Sequence, residues 1–335
     1  MAAGGNSGRT ATGNGLEPLC RQMAGGERTD VATAGRPEAT LIYNAHAGSG
    51  AGPDAEELVS LLDDAGFEAR YRPTESAADL DQIFKDDAGL VVVAGGDGTI
   101  REVAKRLVNK PRPLAIIPLG TANNTARSLG IDGNVAQLIA GLRSPRRQRL
   151  DVARARGPWG DEFMLEGAGL GLFANVLAAY NPEAGKSLMR AVAAAANNLG
   201  DAPVRCRIEL DGERLDGDFL MVEILNMQAV GPRLALAPEA DPGDGLLDLV
   251  LVRHENRDAW LAYLRGLVTK GLRKLPSVEV LRGRELKINW RGSAFHVDAQ
   301  PYCEGGLGSD TKRFSAKIEL VPGAIELWLP GTETG

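Results

Sequence analysis

One stretch narrows the fold more than any other. Leu90–Ala94 (LVVVA) has no polar residue, and it runs without a break into Gly95-Gly96-Asp97-Gly98-Thr99. A strand lacking a polar face must be covered on both sides, the condition met by parallel sheets with helices on each face. The flanking segments supply the rest of that architecture. Ala39–Asn44 reads as a buried strand, and Asp54–Ala65 carries Leu58, Val59, Leu61 and Leu62 at helical spacing. Glu68–Thr74 reads as a second strand, with Ser76 capping a helix that reaches Asp87. Another helix follows the glycine run, then Leu114–Pro118 as a fourth strand and a helix starting near Ala122. Strands alternating with helices predict an α/β domain with a Rossmann-like parallel sheet.

Beyond about Ser144 the pattern changes. Strand-like segments dominate at Gln148–Arg156, Glu162–Glu166, Val204–Leu210, Asp218–Asn226, Leu247–Val252, Glu279–Trp290 and Ser315–Leu320. Helical stretches interrupt them at Leu172–Tyr180, Leu188–Leu199 and Arg257–Leu275. This mixture predicts a second, mainly antiparallel β-sandwich domain, or an open barrel, with helices outside. A length of 335 residues suits two domains. The expected division is a disordered tail over 1–37, the α/β domain over 38–146 and the β-rich domain over 147–335. The C-terminal end has room to return to the first domain. The tail has almost no large apolar side chains with which to offset its ordering entropy. The natural ligand site is a cleft between the two domains.

Bulk properties exclude several classes. No apolar run approaches the roughly 20 residues that cross a bilayer, and no basic stretch precedes an apolar core at the N-terminus. The cytoplasm is therefore the expected location. Cys20, Cys206 and Cys303 lie far apart without CxxC spacing, so they read as ordinary thiols. A net charge of −6 argues against nucleic acid. It leaves room for a local patch that meets a membrane surface.

The glycine run carries the chemistry. Glycines at a strand's carboxyl end let backbone N–H groups approach an anion, and the next helix N-terminus adds a favourable dipole. An isolated tight turn with a capping aspartate would look similar. A second loop, Pro118-Leu119-Gly120-Thr121-Ala122-Asn123-Asn124, follows the next strand, and a third, beginning at Asn44, follows the first. Loops on adjacent strand ends predict one converging pocket. No GxxxxGK[ST] pattern occurs, which excludes a P-loop enzyme.

GGDGT followed by PLGTANN-x-AR resembles the catalytic domain shared by diacylglycerol kinases, sphingosine and ceramide kinases and the bacterial YegS-like lipid kinases. The resemblance runs from residue 39 to the C-terminus, through Arg149–Ala153 (RLDVA), Gly167–Leu172 (GAGLGL) and Leu236–Leu249. It makes residues 38–146 a nucleotide-binding domain and 147–335 a lipid-substrate domain, with ATP and Mg²⁺ as cofactors. It implies that Gly95, Gly96, Asp97, Gly98, Thr99, Gly120 and Thr121 hold the nucleotide, together with Asn44, Thr74 and Asn123. Asp97 would be central to phosphoryl transfer, through Mg²⁺ or by accepting the hydroxyl proton. Asp-Pro-Gly-Asp-Gly-Leu resembles the family's structural Mg²⁺ loop. There Asp244 would give its carboxylate, and Asp241 and Leu246 their carbonyls, although a simple Asp-Gly turn reads the same way. Asp151 matches an aspartate of the network near the cleft.

Two segments depart from the family pattern. The usual Asp-Gly-Glu-Pro, whose Glu is assigned as general base, is here Asp298-Ala299-Gln300-Pro301. An amide at Gln300 orients a hydroxyl but does not accept its proton. Either Asp97 or Asp298 then serves, or activity is lost. Asn124 stands where many relatives have Asp. On the lipid side, Trp260, Leu264, Leu267 and Val268 form an apolar helix face rimmed by basic residues, and Arg143, Arg146, Arg147 and Arg149 form a basic cluster. The three histidines show no metal or triad spacing. The expected partners are a lipid substrate (diacylglycerol- or sphingoid-type) and a peripheral membrane surface, with a homodimer left open. Competing readings are a catalytically impaired regulatory relative that binds nucleotide or lipid, and an enzyme of the NAD kinase type.

Overall fold

The computed structural model describes residues 35–44, 52–74, 77–86, 89–180, 203–231, 233–256, 258–259, 262, 278–303 and 312–331. The described residues from Arg36 onward form one compact unit. Most of the tail over 1–37, the turn over 45–50, Ser76, the helix over 188–199 and most of the helix over 257–275 lie outside the described residues. So do Trp260, Leu264, Leu267 and Val268.

The first half runs β1 (Glu38–Tyr43), α1 (Ala55–Asp64), β2 (Glu68–Tyr71), α2 (Ala77–Asp86), β3 (Leu90–Gly95), α3 (Asp97–Leu107), β4 (Leu114–Pro118), α4 (Asn124–Ser128) and α5 (Val135–Gly141). Then come β5 (Arg146–Gly157), β6 (Gly160–Met164), β7 (Gly167–Gly171), α6 (Leu172–Ala179), β8 (Val204–Leu210) and β9 (Glu213–Leu225). The last part holds β10 (Ala229–Val230), β11 (Leu234–Ala235), β12 (Leu247–Arg253), β13 (Glu279–Gly283), β14 (Glu285–Trp290), β15 (Phe295–Val297), β16 (Gln300–Tyr302) and β17 (Phe314–Leu329).

β2, β1, β3 and β4 lie side by side and parallel, with Leu41 opposite Val92 and Val92 opposite Ala115. β3 is buried along its whole length, as its sequence requires. α3 covers it with Ile100, Val103, Ala104 and Leu107, an apolar stripe of helical period. Asp54 caps α1 by accepting from Glu57 N at 2.9 Å, which leaves Leu58 and Leu62 to pack inward. The second half is mainly antiparallel. β8 alternates buried and exposed residues, as a strand with one covered face should.

β17 joins the halves. Its first part pairs antiparallel with β14 and its far end parallel with β4, Leu327 opposite Leu114. The main hydrogen-bonded path therefore runs β16-β15-β7-β9-β8-β14-β17-β4-β3-β1-β2. Ile325, Leu327 and Leu329 pack into the same core as β1, β3 and β4.

Several boundaries differ from the sequence reading for definable reasons. Ser315–Leu320 extends to Leu329 because Pro322-Gly323, a turn signal in isolation, sits in a register shift between Val321 and Ile325. Gly323 has φ 57° there, and its N–H donates to Asp151 Oδ1 at 2.6 Å. Glu279–Trp290 divides at Gly283, whose lack of a Cβ admits Leu210 (a Cβ would stand 2.5 Å from its Cδ1). The helix placed near Ala122 starts at Asn124, after Asn123 in the left-handed region. α5 is separate, begun by an Asn134/Gln137 capping box. Among the described residues, no helix is long and apolar enough to cross a membrane.

Candidate active site

β1, β3 and β4 are adjacent and parallel, so the turns after them leave the same sheet edge. The turns also touch. Asn44 Nδ2 donates to Thr99 Oγ1 at 3.0 Å, and Leu119 N donates to Gly95 O at 2.9 Å. Asp97 Oδ1 accepts from Thr125 N at 3.1 Å, fastening the GGDGT turn to the GTANN turn. Gly96 and Gly120 meet backbone to backbone: a Cβ on Gly120 would lie 2.6 Å from Gly96 Cα. Gly96 caps α3 without a side-chain bond, which aims the helix N-terminus at this junction.

Asn123 Oδ1, Asn124 Oδ1 and Thr125 Oγ1 are buried beside the cradle without a hydrogen-bond partner. Buried polar atoms normally have one, and such acceptors suit a ligand with hydroxyl groups. Thr121 is exposed, and its carbonyl accepts from the Arg233 guanidinium. Thr74 lies half-buried past the end of β2 and takes no part in the bonds that knit the three turns.

The acidic residues divide sharply. Asp298 is 2% exposed, and its carboxylate accepts from Leu165 N, Glu166 N and Gly167 N at 2.8–3.1 Å. Its carbonyl accepts from Arg101 Nη1 at 2.7 Å. Asp298 is thus an anchor, tied by successive backbone donors. Gln300 is exposed on β16 and borders an open cleft of about 570 Å³ with Arg101, Glu102, Lys105, Glu162 and Tyr302.

Glu166 was not legible as a site residue. It falls between β6 and β7, buried at 6% exposure, with Oε2 accepting from Asn124 Nδ2 at 3.2 Å. Burial first, then the charges of Asp97 and Asp298, push its carboxyl well above the usual range. In the sequence it resembled the polar end of a strand. The available cue was an acid lodged between apolar FML and GAGLGL.

Both halves of the chain match known families. Residues 38–155 match the diacylglycerol kinase catalytic domain, and residues 168–329 match the YegS C-terminal NAD kinase beta sandwich-like domain. A Pseudomonas putida protein named "Probable lipid kinase YegS-like" is 31% identical across 83% of this chain and 90% of its own length. The Klebsiella pneumoniae protein of that name is 34% identical over 64% of this chain and 73% of its own length.

The chain belongs to the YegS-like diacylglycerol kinase family.

The fold agrees. The crystal structure of a putative diacylglycerol kinase from Bacillus anthracis superposes with a TM-score of 0.67 at 22% identity, covering 88% of this chain and 97% of that one. The β-rich half of this YegS-like chain holds two further polar groupings. Asp151 is buried, with Oδ1 accepting from Gly323 N at 2.6 Å and Oδ2 from Gly245 N at 2.7 Å. It pins the β17 irregularity against the Asp-Pro-Gly-Asp-Gly-Leu loop. In that loop Asp241 Oδ1 accepts from Gly243 N at 3.0 Å, and Asp244 Oδ1 from Leu246 N at 3.0 Å. Asp244 also pairs with Arg282, which lies 3.3 Å from Asp248. A second guanidinium reaches the loop, Arg284 Nε donating to Gly245 O at 3.2 Å. With the oxygen-only donors of Asp241, Asp244 and Leu246, the loop fits a hard divalent cation such as Mg²⁺.

The other grouping is His296 with Glu223, both fully buried, Nε2 to Oε2 at 2.9 Å. They flank Gly169, which pairs with both of them across β9, β7 and β15. A Cβ at Gly169 would lie 2.4 Å from Glu223 Oε2, so the glycine is what lets acid and imidazole meet.

Proposed function

We propose that this protein is an ATP-dependent lipid kinase that phosphorylates a lipid hydroxyl of the diacylglycerol or sphingoid type, in the cleft between its two halves. The observation that carries the reading is the fusion of three strand-end turns, at Asn44, Asp97 and Gly120, into one backbone-lined cradle. Glycine at 95, 96 and 120 lets the turns close on one another, since a Cβ there would meet Thr99, Gly120 or Gly96, and α3 points its positive end at the junction. Phosphoryl transfer depends mainly on positioning and charge stabilisation, which such a cradle supplies. Asp97 holds the two loops in register and sets a negative charge beside the phosphates, offset by the cation that enters with the nucleotide. A Mg²⁺ held by Asp244 with the carbonyls of Asp241 and Leu246 would brace the loop that Asp151 pins. The names of the YegS-like relatives and of the Bacillus subtilis "Diacylglycerol kinase", 28% identical over 60% of this chain, support a phosphotransferase with an alcohol acceptor. Such an enzyme works in the cytoplasm at a membrane surface.

The test is incubation with labelled ATP, Mg²⁺ and a panel of diacylglycerols, sphingoid bases and other hydroxylated lipids. Labelled lipid is expected, falling about 100-fold or more in Asp97→Asn, which keeps an acceptor for Thr125 N–H and removes only the charge. No labelled product from any member of the panel rules the reading out. Gln300 favours one rival, a nucleotide-binding relative without turnover. That rival predicts thermal stabilisation by ATP together with an unlabelled panel.

A further inference from the structure

We propose that Glu166 is the proton acceptor for the substrate hydroxyl, filling the role that Gln300 is unable to fill. The inference rests on the kinase reading and names a residue within the same site. Three other side chains compete for the role, and the structure disposes of them differently. Gln300 is an amide. Asp298 spends its carboxylate on the N–H groups of Leu165, Glu166 and Gly167. Asp97 spends Oδ1 on Thr125 N and lies between the phosphate-binding turns.

Glu166 stands where the halves meet. Through Asn124 it touches the GTANN turn, and its backbone belongs to the β-rich half, where Asn226 N donates to its carbonyl at 2.9 Å. A hydroxyl delivered from the β-rich half to a γ-phosphate in the cradle therefore arrives beside this carboxyl. The hydroxyl oxygen bonds to the γ-phosphorus as the bond from that phosphorus to the β–γ bridging oxygen breaks. The electron pair leaves on the nucleoside diphosphate, and the hydroxyl proton passes to Glu166. The groups facing Glu166 are Asp97 and Arg101 from α3, Asn124 from α4 and Asp298 from the turn before β16. Burial first, then Asp97 and Asp298, strengthen its hold on a proton, while Asn124 and Arg101 act the other way.

Asn124 completes the argument. Its Nδ2 donates to Glu166 and, at 2.8 Å, to Gly231 O. The Asp that many relatives carry at this position has no such donor, and would place like charge against Glu166. In this chain an amide stands at 300, and the buried carboxyl held by Asn124 is Glu166.

The experiment measures kcat against pH, and ATP affinity, for the wild type, Glu166→Gln and Glu166→Asp. The wild type should lose activity as pH falls through a value above the ordinary carboxylate range. Glu166→Gln should lose about 100-fold in kcat, with ATP affinity within about threefold and unchanged thermal stability, since the amide oxygen still accepts from Asn124 Nδ2. Glu166→Asp should keep partial activity with the acid limb displaced. If the wild type labels lipid and Glu166→Gln keeps more than a third of its kcat, or loses ATP binding in step with kcat, Glu166 is not the base and the kinase reading survives. If the wild type labels no lipid, both readings fall together.

Discussion

Two aspartates end strands in the two halves of the molecule, and the backbone around each gives it a different task. Asp97 follows the parallel strand β3, is half-buried and accepts one N–H, from Thr125. Asp298 follows the antiparallel strand β15, is 2% exposed and accepts from three consecutive N–H groups. A parallel strand ends in a crossover whose helix opens its N-terminus to ligands, so a carboxylate there sits at the ligand-facing edge. An antiparallel strand turns back at once, and its turn is packed into neighbouring backbone. Residue type is shared; the count of donors already claimed separates an acid that links two phosphate-side turns from one that anchors the backbone.

The comparison breaks most visibly at Asp298. Asn at that position keeps one acceptor oxygen but forfeits the charge that strengthens each bond, and it places an NH₂ against backbone donors. Asp298→Asn is expected to lower unfolding free energy by roughly 3 kcal/mol, read from the shift in urea midpoint. Asp97→Asn should leave that midpoint nearly unmoved while activity collapses. The reverse pattern, an unmoved midpoint at 298 and a displaced one at 97, would contradict the division of labour.

Much of the first region was legible from the chain alone. β3 and the helix behind it need only local pattern, because Leu90–Ala94 has no polar face and Ile100, Val103, Ala104 and Leu107 recur at helical spacing. The convergence of the turns followed from the parallel order of the strands. The second region was less legible because its decisive contacts are remote. Asp298 meets a donor 133 residues away, and Glu166 meets Asn124 across 42 residues. The strand read as ending at Leu320 continues past Pro322-Gly323 for the same reason: its pairing with β5 resumes at Ile325, and Asp151 holds Gly323 N from far along the chain.

The glycine junction allows a sharper, smaller test. Gly120→Ala would drive a methyl to 2.6 Å from Gly96 Cα and 2.8 Å from Asn123 Oδ1, so the two turns must separate. ATP affinity is expected to fall about tenfold, near 1.4 kcal/mol, in calorimetric titration. Gly98→Ala is the matched control, since a Cβ there meets nothing within 4 Å. Equal losses at 98 and 120 would mean that the cradle's shape is not what holds the nucleotide.

The smallest effect belongs to Ala299. Asp298 and Ala299 have φ of 48° and 60°, the left-handed pair of a two-residue hairpin turn between Val297 and Gln300. Glycine holds this conformation freely, whereas a Cβ there costs about 1 kcal/mol. Two terms oppose the relief in Ala299→Gly: the greater freedom of glycine in the unfolded chain, and the loss of a methyl that packs against the α6 cluster. The balance should favour the variant by roughly 0.5 kcal/mol, a rise in Tm of about 2 °C, with kcat unchanged because Asp298 keeps its donors. A fall in Tm would show that the methyl outweighs the strain. The turn would then be set by packing from α6, and Asp298's backbone bonds would be a consequence of the hairpin's position, not its cause.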